Sequence, residues 1–162
     1  MVTSGTTQAG IKSKRVLLLL GANGNLGTKL LESTEDLLQK YTHIYCLDKV
    51  FNHDSLPYSD SSIQFMSCDA IKDDYISQII SHLGVKDLQL EALNLIAKDY
   101  PVMESGLSQQ YTSPFAIDPN DYVESLAVTA GSSYHLIKQV IDLELLSTSL
   151  WLIGSIYDRV LP

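Results

Sequence analysis

The sequence predicts an α/β domain: a doubly wound parallel sheet of about five strands in three layers, helix on sheet on helix, with strand order 3-2-1-4-5. Three observations carry this. The unbroken aliphatic run at 16–20 reads as a parallel strand covered on both faces. The glycine-rich turn GANGNLG, residues 21–27, follows it directly and opens a stretch of helical periodicity. After that, short apolar runs and amphipathic helical stretches alternate down the chain, the pattern of βα units joined by right-handed crossovers.

Residues 1–13, MVTSGTTQAGIKS, are small and polar without a period, and are expected to form a flexible leader outside a domain spanning 14–162. The first strand is read at 14–20. Leu26, Leu30, Leu31, Leu37 and Leu38 then recur near helical spacing as far as Lys40, which predicts one helix of about four turns. Residues 44–47 read as the second strand, ending at Asp48. After an irregular polar stretch comes the third, 63–66, ending at Cys68 and Asp69. Tyr75, Ile76, Ile79, Ile80 and Leu83 share one side of a helix over 73–83, and 90–96 read as the fourth strand. The stretch 98–117, with Pro101, Gly106, Ser113 and Pro114, is expected to be a loop. Asp118-Pro119-Asn120-Asp121 is a strong helix start, since Asp caps, Pro suits the first helical position and the second Asp favours the positive end. That helix carries Val123, Leu126, Ala127, Ala130, Tyr134, Ile137 and Ile141 every three or four places, to about Leu145. Residues 150–153 are the fifth strand, ending at Gly154 and Ser155.

Composition narrows the function. A net charge of −8 argues against phosphate-backbone binding and anionic membranes, both of which need clustered Lys and Arg. The longest aliphatic run is far shorter than the roughly 20 residues that span a bilayer. Cys46 and Cys68 have no CxxC spacing, which fits reduced core thiols in the cytoplasm. His43, His53, His82 and His135 have no paired ligand spacing, so no metal site is expected.

In an open parallel sheet, ligands bind beyond the carboxyl ends of the strands, so the candidate residues are strand ends. Gly21 opens the first turn, Gly24 permits close backbone approach and Gly27 permits tight packing of helix on strand. With Asn23, Asn25 and Leu26 they form a cradle for a pyrophosphate on the helix amino terminus, in the manner of a Rossmann-like fold. Asp48, ending the second strand, can accept hydrogen bonds from both adenosine ribose hydroxyls and repels a 2′-phosphate, which favours NAD, while Lys49 beside it keeps NADP open. Asp69 can accept the adenine amino group, with Cys68 and Ala70 lining that pocket, or can cap its own turn.

Taken together, GANGNLG, YCLDK, SCDA and the ending LWLIGSIYD after a long helix resemble the short-chain dehydrogenase/reductase family over roughly residues 14–160, with the glycine spacing of its extended and atypical branches. The resemblance implies an NAD(P)-dependent oxidoreductase acting on a hydroxyl or carbonyl of a small molecule or sugar. It leaves a nucleotide-sugar epimerase or dehydratase, and a non-catalytic dinucleotide-binding regulator, as alternatives. It places Ser155 at the position of the serine that holds the substrate carbonyl, and Ala97 in the turn after strand four, where the family's Asn-Asn-Ala-Gly is read as Leu95-Ile96-Ala97-Lys98. Val128 stands where the long helix often carries an Asn. No Tyr-x-x-x-Lys follows Ser155, and the family implies a further helix and two further strands. The expectation is therefore an incomplete sheet, an amino-terminal portion of a longer enzyme that is inactive alone and associates with itself, the long helix being a contact.

Overall fold

The structure, a computed structural model, describes residues 14–51, 60–85, 88–97 and 119–153. Strand β1 (Lys14–Leu20) lies at the centre of a five-stranded sheet. It pairs in parallel with β2 (His43–Asp48) on one side and β4 (Leu88–Asn94) on the other. Residues 16–20 are at most 1% exposed. Full burial on both faces is why this run has no polar alternation. β3 (Ile63–Ser67) continues the sheet beyond β2, and β5 (Thr148–Leu152) continues it beyond β4, giving the expected order β3-β2-β1-β4-β5.

The two-residue pleat sorts β1 between two cores. Val16, Leu18 and Leu20 meet Tyr75, Ile76, Ile79 and Leu83 of α3 (Tyr75–Leu83) and Leu136 of α4 (Pro119–Asp142). Leu17 and Leu19 meet Leu31 of α1 (Asn25–Leu31), Tyr41 and Phe51, with Leu37 and Leu38 of α2 (Thr34–Lys40) at the margin. The result is the predicted three-layer, Rossmann-like αβα arrangement. Among the described residues no helix is long and apolar enough to cross a membrane.

Four details differ from the sequence expectation. The first helix is two helices, because Thr34 Oγ1 donates to the Leu31 carbonyl and Ser33 N donates to Leu30 O at 3.1 Å, ending one helix and restarting another. Strand β4 spans Leu88–Asn94 rather than 90–96. Ile96 is apolar because its side chain covers the glycine turn, 3.1 Å from where a Cβ on Gly21 would stand, while Leu95 N donates to Leu20 O at 2.9 Å. β5 starts at Thr148 and ends at Leu152, two residues earlier at its start than expected. Finally, the apolar repeat of α4 points away from the sheet, with Val123, Leu126, Tyr134 and Ile141 exposed. The inward line is Ser132, Leu136 and Gln139, whose polar members are buried because partners satisfy them: Asn94 Nδ2 donates to Ser132 Oγ (2.9 Å), and Gln139 accepts from Ile76 N (3.0 Å) and donates to Asp73 O (3.1 Å).

The leader at 1–13, the connection at 98–117, the cap at Asp118 and the candidate Ser155 lie outside the described residues.

Candidate functional site

Gly21 has φ +80°, a conformation that L side chains rarely adopt, and it turns the chain out of β1. Its amide and that of Ala22 both donate to Leu47 O, at 2.8 and 3.1 Å, which ties the turn to the end of β2. Gly27 is buried for a different reason. A Cβ there would lie 2.5 Å from the Ala22 carbonyl oxygen, so only glycine lets α1 pack this close to the turn.

Gly24 meets neither demand. It is exposed, its φ is −76°, and a Cβ would approach a single atom, Gly21 O, at 3.3 Å. It is the N-cap of α1, and no side chain caps that helix. The first-turn amides of Asn25, Leu26 and Gly27 have no intrahelical acceptor by geometry, so they face outward beside a residue without a side chain. Asn25 and Leu26 are themselves exposed.

Asp48 sits beside this turn. One carboxylate oxygen accepts from Asn23 N at 3.0 Å and the other from Lys49 N at 2.7 Å, while Asn23 Nδ2 donates to Val50 O at 3.2 Å. The carboxylate is thereby fixed against the glycine turn, and each oxygen keeps a further lone pair for an outside donor. A cavity of about 200 Å³ opens next to it between the ends of β2 and β3, and Asp48, Lys49, Cys68, Asp69 and Ala70 all line it.

Asp69 caps its own turn: its Oδ1 accepts from Ile71 N at 3.0 Å, and Lys72 Nζ lies 3.6 Å from Oδ2. The Ile71 amide, with help from Lys72 and Lys49, holds its carboxyl below the usual aspartate range against the opposing effect of burial. Burial pushes the Cys68 thiol up to about 12, with Asp73, Asp48 and Asp69 adding to the effect, so it is a neutral wall group at physiological pH.

Leu47, Ile71, Ile96, Val128 and Ser132 complete the cavity and are not among the site residues read from the sequence. Ala97 is exposed beyond the turn after β4 and does not line it; Ile96 stands against Gly21 in its place. Asn94 was missed too. It is buried, donates to Ser132 Oγ and Ser133 Oγ at 2.9 Å each, and accepts from Ile96 N at 3.1 Å, so it locks the turn after β4 to α4.

The spacing Tyr-x-x-x-Lys occurs twice before Ser155, at neither place as a site. Tyr45 is buried with its hydroxyl on His82 Nδ1 at 3.1 Å. Tyr134 is 69% exposed on the outer face of α4, and its partner by spacing, Lys138, bonds Asp142. A larger trough of about 390 Å³, lined by Arg15, Gln89, Glu91 and Ser149 among others, lies toward the amino ends of the strands. It is away from the carboxyl ends where open parallel sheets hold their ligands.

The sequence matches no family model and no curated protein. Solved structures do resemble the fold. A short chain dehydrogenase from Leptospira borgpetersenii with bound NAD+ superposes with a TM-score of 0.62 at 17% identity, over 93% of this chain and 55% of that one. One from Burkholderia cenocepacia in complex with NADP gives 0.62 at 18%, over 92% and 56%. A short chain dehydrogenase/reductase from Saccharomyces cerevisiae gives 0.64 at 15%, over 91% and 56%. At these identities the likeness is one of fold, and the chain spans about half the length of the structures it matches.

Proposed function

We propose that the strand-end site binds a nicotinamide adenine dinucleotide, NAD in preference to NADP, as the cofactor-binding part of a short-chain dehydrogenase/reductase. The observation that carries this is Gly24. Its backbone angles do not require glycine and a Cβ would press on one atom alone, Gly21 O at 3.3 Å, while the missing side chain leaves open the approach to the first-turn amides of α1. The fixed Asp48 carboxylate beside it suits two ribose hydroxyls and opposes a 2′-phosphate. The adjoining cavity, lined by Cys68, Asp69 and Ala70, suits the adenine half. The similar folds that hold NAD+ and NADP add support, and because they hold both, the preference rests on Asp48.

Such a cofactor supplies hydride chemistry when bound. The roles proposed for this chain's own residues are to seat the pyrophosphate at 24–27, to orient the adenosine through Asp48, and to hold a substrate carbonyl with Ser155. The substrate class is a hydroxyl or carbonyl of a small molecule or sugar, and the proposed assembly is a homo-oligomer formed through the outer face of α4.

Calorimetric titration with NAD and NADP tests the reading. The unaltered chain binds NAD more tightly than NADP, Gly24→Val abolishes binding of both, and Asp48→Ala narrows the difference. Absence of binding to either nucleotide by the folded chain sinks the proposal.

A further inference from the structure

The trough of about 390 Å³ at the amino ends of the strands is built on a polar row that the strand register explains. Arg15 of β1 pairs with Gln89 of β4, and Glu91, two places further on, pairs with Ser149 of β5. Because side chains alternate along a strand, these four share one face of the sheet, where the next positions of β1 on that face, Leu17 and Leu19, are core. All four line the trough, together with Tyr41.

The acid in this row is already satisfied. Glu91 accepts from Tyr41, Lys40 and Trp151 Nε1, and Lys40 balances its charge. The base is not. The Arg15 guanidinium carbon lies 5.8 Å from the centre of the Tyr41 ring, and its fork of N–H donors has no acceptor among the described residues. The side chains of Gln89 and Ser149 also make no hydrogen bond among the described residues. Want of acids does not explain the unpaired arginine, since Asp and Glu number 19 against 11 Lys and Arg. Elsewhere among the described residues, Lys14 bonds Leu83 O, and Lys29, Lys40, Lys72 and Lys138 each meet a carboxylate. Lys49 is the other side chain of this charge without such a partner, and it lines the strand-end cavity.

We propose that the trough is a second binding site, for a small molecule that carries a single carboxylate, held by the Arg15 fork with Gln89 and Ser149 as neutral donors. A guanidinium matches both oxygens of a carboxylate in one plane. One unbalanced positive charge calls for one negative charge, and the Glu91 carboxylate in the same wall disfavours a doubly charged phosphate. Tyr41, pinned by its bond to Glu91 at 2.6 Å, gives the guanidinium a fixed face to rest on, which reduces the freedom lost on binding. The volume is that of a small-molecule pocket. The trough lies at the opposite end of the sheet from the glycine turn, so the inference does not depend on dinucleotide binding.

The test titrates sodium acetate, sodium benzoate and sodium phosphate into the isotope-labelled chain at neutral pH and constant ionic strength, following its amides by NMR. The expected result is a saturable shift at Gln89 and Ser149 with the carboxylates, at dissociation constants of about 1–10 mM, and weaker binding of phosphate. Arg15→Gln weakens carboxylate binding about tenfold or more, the worth of a charge-assisted pair. Arg15→Lys weakens it about threefold, because it keeps the charge and loses the fork. Lys138→Gln, the same change of charge on the outer face of α4, leaves it unchanged. No saturation with either carboxylate overturns the proposal, as does equal binding by Arg15→Gln or equal weakening by Lys138→Gln, which would make the shift an effect of overall charge. Phosphate bound as tightly as the carboxylates overturns the choice of ligand. Where Arg15→Gln fails to fold, Arg15→Lys decides: unchanged affinity overturns the role of the fork, and reduced affinity upholds it.

Discussion

Two glycines three positions apart in a single turn, Gly24 and Gly27, separate function from stability. Gly27→Ala would drive a methyl to 2.5 Å from the Ala22 carbonyl, and neither backbone can yield cheaply, so it should cost about 2 kcal/mol or more in urea unfolding. Gly24→Ala should cost less than about 1 kcal/mol while weakening NAD in calorimetry, because its nearest atom is at 3.3 Å. Asp69 gives a pH signature. Its folded pKa is depressed, so its contribution is present above the unfolded aspartate value of about 3.9 and is lost as pH falls through the folded value. Asp69→Ala should therefore be destabilised at pH 7, with the gap to the unaltered chain closing below about pH 4 in denaturant titrations. The glycine turn and Asp48 were legible because spacing after an apolar strand carries them. Ile96 was not, since its role depends on a turn whose start only the strand register reveals.

At the scale of elements, the strand order was readable from the alternation of runs, whereas the inward face of α4 was not. A periodicity argument counts apolar side chains and sends them inward. Here Ser132 and Gln139 go inward because Asn94 and the amino end of α3 meet them, and the apolar repeat is left outside. Asn94→Leu should thus cost about 1–3 kcal/mol in urea unfolding despite adding apolar bulk, because it orphans Ile96 N and takes the Nδ2 donor from the Ser132 and Ser133 hydroxyls, which keep only their bonds to Thr129 O. The other face of β4 is held by Glu91, which accepts from Tyr41 (2.6 Å), Lys40 (3.1 Å) and Trp151 Nε1 (3.1 Å), linking α2 to β5. Burial pulls its carboxyl up, but these three donors together hold it below the usual glutamate range.

For the whole molecule, exposed large apolar side chains gather in the last third of the described chain: Val123, Leu126, Tyr134 and Ile141 on α4, and Trp151, Leu152 and Ile153 at β5. Exposed large apolar side chains in this number favour association. Sedimentation velocity should show concentration-dependent oligomers, and Leu126→Lys combined with Ile141→Lys should shift them toward monomer with the fold retained by circular dichroism. A monomer at all concentrations in the unaltered chain would refute this. The central place of β1 has a consequence in time rather than in space. Val16 faces His43 on one side and Leu90 on the other, so the strand made first is completed only by a strand made much later. During synthesis, β1, β2 and β3 can assemble with α1 and α2 while the β4 side of β1 stays unpaired. Folding should then be slow for a chain of this size, because closing that gap orders a long intervening segment before any contact rewards it. The nascent chain is most open to mispairing in the interval before Asn94 leaves the ribosome.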